Sequence, residues 1–105
     1  MKKISDWKLK LRYGKLKTPF SHFTVIADCE VMKPNEDLGS YGERGFFALK
    51  VWAENTDEAA HMTRLFAKHY DLKADGKANV YDTEPVNPPE ENPSGYDPNF
   101  TPYEN

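Results

Sequence analysis

Proline crowds the C-terminal end of this chain and limits where its regular structure can lie. Six of the eight prolines in the 105 residues fall between positions 85 and 105. Proline lacks a backbone N–H, so neither a helix nor a central strand tolerates this density. The same segment carries Tyr96, Phe100 and Tyr103, more aromatic residues than a purely solvated tail requires. We therefore predict one folded domain, residues 1–84, and an extended C-terminal segment, residues 85–105, whose aromatic side chains pack on that domain.

Two segments near the N-terminus alternate between apolar and polar side chains, which is the period of a half-buried strand. Residues 7–13 alternate apolar with basic side chains, and residues 23–31 carry Asp28 and Glu30 on their polar side. Opposite charges attract across paired strands. We therefore expect the two segments to form an antiparallel hairpin, with the basic side chains opposite these carboxylates.

The rest of the domain reads as a strand, a helix and a strand. Residues 46–52 are apolar on both faces, which is typical of a covered strand. Asn55, followed by Glu58, resembles a helix N-cap with a capping box, and residues 78–83 resemble a short last strand. A right-handed crossover would leave the last two strands parallel. The prediction is an α+β fold of order ββ(loop)βαβ, a four-stranded mixed, mostly antiparallel sheet with one helix on one face and the C-terminal aromatics on the other.

The net charge of −3 conceals two oppositely charged ends. The first 20 residues hold seven Lys or Arg and one Asp, whereas the last 25 hold six Asp or Glu and no basic residue. Either the acidic end folds back over the basic end, or the basic end binds an anionic partner. Both interpretations remain open on the sequence alone.

The segment 44–51 can be compared with a nucleic-acid-binding motif, the RNP1 strand, whose pattern is basic, Gly, aromatic, small, Phe, aliphatic, any, aromatic. Four positions match: Arg44, Gly45, Phe46 and Leu49. Three depart from it: Phe47, Ala48 and Val51. The segment thus resembles part of the RNA-recognition domain family. That resemblance implies bases stacked on Phe46 and Trp52, with Arg12 and the lysines on phosphates. The favoured interpretation is a buried hydrophobic strand.

No group of residues predicts catalysis, a metal site or a cofactor. His22, His61 and His69 lack the spacing of zinc ligands. Asp28 and Glu30 could form an acid–base pair, but ion pairing with the basic strand is the preferred interpretation. Cys29, the single cysteine, falls on the apolar side of its strand, which predicts a buried, inert thiol. The single cysteine favours a reducing, cytoplasmic location, and no apolar run of about 18 residues predicts a membrane span.

The sequence therefore predicts a small non-enzymatic interaction module whose partner is another protein. Its candidate interaction surface consists of Arg12, Tyr41, Arg44, Phe46 and Trp52. The alternative is single-stranded nucleic-acid binding through the RNP1-like strand and the basic first hairpin. The segment Pro85–Pro88 forms a PxxP pattern, which suits either a ligand motif or a stiff connector. Because two sheet edges are exposed in the predicted fold, both a monomer and a homodimer are compatible with it.

Overall fold

The computed structural model describes residues 6–14, 16–33, 42–74 and 76–103. The chain is a compact α+β unit in which a five-stranded sheet carries one helix on one face. The elements within these residues, in chain order, are α1 (Asp6–Arg12), β1 (Ser21–Val31), β2 (Arg44–Ala53), α2 (Thr56–His69), β3 (Leu72–Lys73), β4 (Ala78–Asp82) and β5 (Ser94–Pro102).

The sheet is built around the long pair β1 and β2, which are antiparallel from Ser21 opposite Ala53 to Glu30 opposite Arg44. Strands β4 and β3 both lie along the other edge of β1, and β5 lies along the other edge of β2. Every pairing is antiparallel. The mixed four-stranded sheet of the prediction is therefore wrong. Strands β2 and β4 do run in the same direction, but β1 lies between them, so they do not pair.

The predicted strand over residues 7–13 is wrong, because these residues form helix α1. Both edges of β1 are already taken, by β2 on one side and by β3 and β4 on the other, so the predicted hairpin partner has no free edge. Without a paired strand, local preference decides, and Lys, Leu and Arg favour a helix. Helix α1 approaches no other helix or strand of the described chain.

The hydrophobic core lies between the sheet and α2. Alternate residues of β1 and β2 are buried on this side, and α2 covers them with small buried side chains: Ala59, Thr63 and Ala67. The predicted N-cap is confirmed, since the side chain of Asn55 accepts a hydrogen bond from the Glu58 N–H at 2.8 Å. The carboxylate of Glu58 in turn accepts from the backbone N–H of Glu54 at 2.7 Å, which completes a capping box displaced by one residue.

Part of the proline-rich segment forms the edge strand β5, a position where missing backbone donors are tolerated. Tyr96 and Tyr103 lie on the face away from α2, where they contact His22 and Phe46. Phe100, however, packs opposite Phe47 in the core on the α2 side, which corrects its predicted place beside the two tyrosines. A β-bulge between Ala48 and Lys50 causes this difference, because one extra residue moves all later side chains to the opposite face.

Candidate interaction surface

The sheet face away from α2, here called the open face, is covered by no helix of the described chain. Residues that alternate with the core residues form it. Its central strands contribute Thr24, Ile26, Asp28, Glu30, Arg44, Phe46, Ala48 and Lys50, and its outer strands contribute Asn79, Tyr81, Tyr96, Asn99 and Thr101. The exposed large hydrophobic side chains among them are Phe46 at 44% and Tyr81 at 50%.

One end of the open face is closed by the segment that follows β4. Trp52 is 3% exposed, and its indole N–H donates to the carbonyl of Asn87 at 2.9 Å. The ring of His22 contacts the Trp52 ring edge-on, with 5.0 Å between centroids. Tyr96 completes this group, because its hydroxyl lies 2.6 Å from Nε2 of His22. A chain segment and two aromatic side chains therefore seal this end against solvent.

The hydrogen bonds at this end define the protonation state of His22. The hydroxyl oxygen of Tyr96 accepts the backbone N–H groups of Val86 and Asn87, at 3.0 and 3.2 Å. Both of its acceptor sites are then used, so its own hydrogen is donated to Nε2 of His22. Nδ1 must therefore carry the ring proton, and it donates to the carbonyl of Thr83 at 3.1 Å. His22 is neutral in this arrangement.

The electrostatic surroundings of His22 agree with a neutral ring. Burial lowers the pKa of His22 below its ordinary value, and the positive charge of Lys50 acts in the same direction. The hydrogen bond to the Thr83 carbonyl and the carboxylate of Glu84 oppose this shift of the pKa. The ring at the closed end thus serves as a structural hydrogen-bonding group.

The opposite end of the open face is built around Phe46. The ring of Tyr103 packs edge-on against it with 4.8 Å between centroids. The Tyr103 hydroxyl donates to Oδ1 of Asp28 at 2.8 Å, and this hydrogen bond to a carboxylate raises the pKa of Tyr103. Arg44 donates to Oε1 of Glu30 at 3.1 Å. Asp28 and Glu30 therefore have partners from β2 and the C-terminal segment, and the expected pairing with the basic residues 8–12 does not occur.

Three of the five residues predicted from the sequence lie on the open face. Arg44 and Phe46 lie near one end, whereas Trp52 lies at the other end, where the segment around Asn87 covers it. Arg12 is exposed on α1, where it borders a cleft with Lys8, Leu11, Glu84 and Pro85. Tyr41 lies outside the described residues. The residues that sequence reasoning missed are Tyr81, which the alternation of residues 78–83 could have identified, and the pair His22 and Tyr96, for which no local signal exists.

The resemblance of residues 44–51 to an RNP1 strand has a structural explanation at Gly45. A Cβ atom at this position would lie 2.8 Å from the Cα of Pro102 in β5. Glycine is thus required for the close approach of the edge strand, independently of any ligand.

Some of the described basic residues near the N-terminus line the same clefts as acidic residues of the C-terminal part. Lys8 and Arg12 share a cleft with Glu84, and Lys17 shares a second cleft with Glu90 and Glu91. This arrangement agrees with the interpretation in which the acidic end folds back over the basic end.

Chemistry-bearing groups are scarce in the described part of the chain. No three His, Cys, Asp or Glu side chains there come together as metal ligands, and the thiol of Cys29 is completely buried. None of the described helices is long and apolar enough to cross a membrane. No protein-family model, no curated protein and no solved structure matches this chain.

Proposed function

We propose that this chain is a non-enzymatic interaction module that binds a protein partner on the open face of its sheet. The observation that carries the proposal is the contrast between the two faces: α2 covers one, whereas the other presents Phe46 and Tyr81 about half exposed. Between them, Ile26 and Ala48 are only partly buried. An aromatic and aliphatic surface of this kind is typical of the central part of protein interfaces.

The charges on the open face support a protein partner rather than a nucleic acid. Lys50 donates to Asp97 at 3.2 Å, and Arg44 donates to Glu30 at 3.1 Å. A nucleic acid gains affinity when Lys and Arg side chains displace counterions from its phosphates. Cations that already have carboxylate partners contribute less to that gain, and the net charge of −3 opposes it further.

Single-stranded nucleic acid remains the second candidate because Phe46 is an exposed aromatic side chain on an antiparallel sheet, a position suited to base stacking. The second stacking residue of that hypothesis, Trp52, lies beneath Asn87. Base stacking on Trp52 would therefore require the segment after β4 to leave the sheet. For the interaction module we also propose a cytoplasmic location, which is the location expected for a chain with one buried thiol.

The test compares two serine variants in quantitative affinity capture from a native lysate. Tyr81→Ser changes the open face, whereas Leu65→Ser changes an equally exposed position on α2, since the two side chains are 50% and 54% exposed. We expect a protein retained by the wild type and by Leu65→Ser to be depleted by at least about tenfold with Tyr81→Ser, the loss of about 1.4 kcal/mol. Nuclease treatment of the lysate should leave this retention unchanged.

Three outcomes separate the candidates. If both variants retain the protein equally, the open face is not its binding site. Retention that disappears after nuclease treatment and weakens steeply with salt would favour the nucleic-acid alternative. If the wild type retains no macromolecule under any condition, the interaction-module proposal loses its support.

A further inference from the structure

The two outer strands of the sheet differ in their capacity to pair with another strand. Strand β5 forms one edge, and β4 forms most of the other. An edge strand presents backbone N–H and C=O groups that can bond a strand from another chain, and proteins commonly protect such edges with proline, bulges or charge.

The edge formed by β5 is protected. The N–H of Tyr103 bonds the carbonyl of Arg44 in β2. Alternate residues of an edge strand direct their backbone N–H and C=O groups away from the sheet, and in β5 these residues are Phe100 and Pro102. Pro102 has no N–H to offer. The β-bulge contains Asp97 at a positive φ of 52° together with Pro98, which also lacks the donor. A strand approaching this edge would find a bent backbone with few donors.

Among the described residues, the edge formed by β4 contains neither a proline nor a β-bulge, and Asp82 is its one charged residue. The N–H of Thr83 bonds the carbonyl of His22 in β1. Because backbone groups alternate in direction along a strand, the register of β4 with β1 means that Tyr81 and Asn79 also direct their N–H and C=O groups towards β1. Ala78, Val80 and Asp82 therefore direct their N–H and C=O groups outward. None of the three is proline, and no backbone group of the described residues bonds to them from outside the sheet.

We propose that β4 pairs with β4 of a second copy of this chain, in an antiparallel register centred on Val80. In this register Val80 faces Val80 of the partner subunit, and Ala78 faces Asp82 of the partner subunit. The outward N–H and C=O groups of all three residues then find partners across a two-fold axis, because the three positions are symmetric about Val80.

The side chains of β4 suit a second copy as the occupant. Asp82 faces an alanine in this register, so no like charges lie directly opposite one another. Tyr81 faces Asn79 of the partner subunit, which covers part of a side chain that is half exposed in the single chain. The two-fold axis is perpendicular to the sheet, so the open faces of both copies lie on the same side. The dimer goes beyond the proposed function and does not depend on it.

Two substitutions at one position isolate the outward hydrogen bond. Asp82→Pro removes the outward N–H of β4, whereas Asp82→Ala removes the same charge and keeps the N–H. Neither change alters the inward bonds of Asn79, Tyr81 and Thr83 to β1. Sedimentation equilibrium from micromolar to millimolar protein should give twice the 12.1 kDa chain mass for the wild type and for Asp82→Ala. For Asp82→Pro we expect a dissociation constant raised at least about tenfold, with an unchanged far-ultraviolet circular dichroism spectrum.

Residue-resolved hydrogen exchange identifies the interface independently of the variants. The amides of Val80 and Asp82 should be protected at high protein concentration and should exchange freely on dilution, whereas Asn79 and Tyr81 stay protected throughout. A monomer over the whole concentration range overturns the proposal. So does a dimer whose Val80 and Asp82 amides remain unprotected, or one that Asp82→Pro does not weaken, since each result places the contact elsewhere. If Asp82→Pro loses its native spectrum, the concentration dependence of these two amides in the wild type decides.

Discussion

At the scale of single residues, Tyr96 joins the C-terminal segment to the sheet through one hydroxyl group. That group donates to His22 and accepts the N–H groups of Val86 and Asn87. Tyr96→Phe would keep the ring but remove the partner of the part-buried Nε2 of His22, whereas water can bond the exposed N–H groups of Val86 and Asn87. Because a buried polar group left without a partner costs about 1–3 kcal/mol, we expect the free energy of unfolding to fall by about 1 kcal/mol in a urea titration.

Tyr81→Phe is the matched control, because the Tyr81 side chain is exposed on the same face and has no hydrogen-bonding partner among the described residues. Loss of the Tyr81 hydroxyl should change the free energy of unfolding by less than about 0.5 kcal/mol. Equal effects of the two substitutions would mean that the hydroxyl of Tyr96 does not form its three bonds in solution.

The neutral state of His22 predicts a dependence of stability on pH. Because the pKa of His22 is lowered in the folded chain from its ordinary value of 6.5, the unfolded chain takes up this proton first. Stability from this residue is complete above pH 6.5 and decreases as the pH falls from there through the folded pKa. Protonation also places a hydrogen on Nε2, against the hydrogen of the Tyr96 hydroxyl. Urea titrations from about pH 8 to about pH 5 should show the decrease.

The variant His22→Asn separates this effect from that of the other titrating groups. It should be less stable than the wild type at every pH, but the free energy of unfolding should vary less over this range. His61 and His69 are exposed on α2 and are present in both proteins, so the comparison isolates the contribution of His22. An unchanged slope in the variant would show that the pH dependence arises from groups other than His22.

At the scale of elements, the sequence predicted those whose signals are local. Alternation identified most of β1, and the pair Asn55 and Glu58 identified the start of α2. The run 46–52 identified β2, and residues 78–83 identified β4. In each of these segments the pattern of side chains agrees with the burial that the fold imposes, so local and tertiary preferences point to the same structure.

The elements that were predicted incorrectly depend on contacts between distant parts of the chain. Alternation in residues 7–13 suits a strand only if a sheet edge is available, and β2, β3 and β4 occupy both edges of β1. The bulge that turns Phe100 into the core is a property of the pairing between β2 and β5. The hydrogen bond between His22 and Tyr96 likewise joins positions 74 residues apart. Composition and periodicity contain no information about such pairings.

At the scale of the whole molecule, the predicted division into residues 1–84 and a C-terminal segment, residues 85–105, packed on them raises the question of whether the two parts unfold together. The fold argues for a single cooperative unit, because β5 pairs with the central strand β2 and contributes Phe100 to the core. Trp52 provides a probe for this question, since its indole N–H bonds the carbonyl of Asn87. Trp7 is the other tryptophan, so Trp7→Phe leaves Trp52, which contacts both the covering segment and His22 of β1, as the single tryptophan.

In the Trp7→Phe protein, we expect urea unfolding followed by Trp52 fluorescence and by far-ultraviolet circular dichroism to give the same midpoint and the same slope. Helix α1 approaches no other described element, so the substitution itself should leave the dichroism midpoint close to that of the wild type. A fluorescence change at lower urea than the dichroism change would mean that the segment detaches first. Trp52 and the closed end of the open face would then be accessible in a partly folded state, and the partner search should include that form.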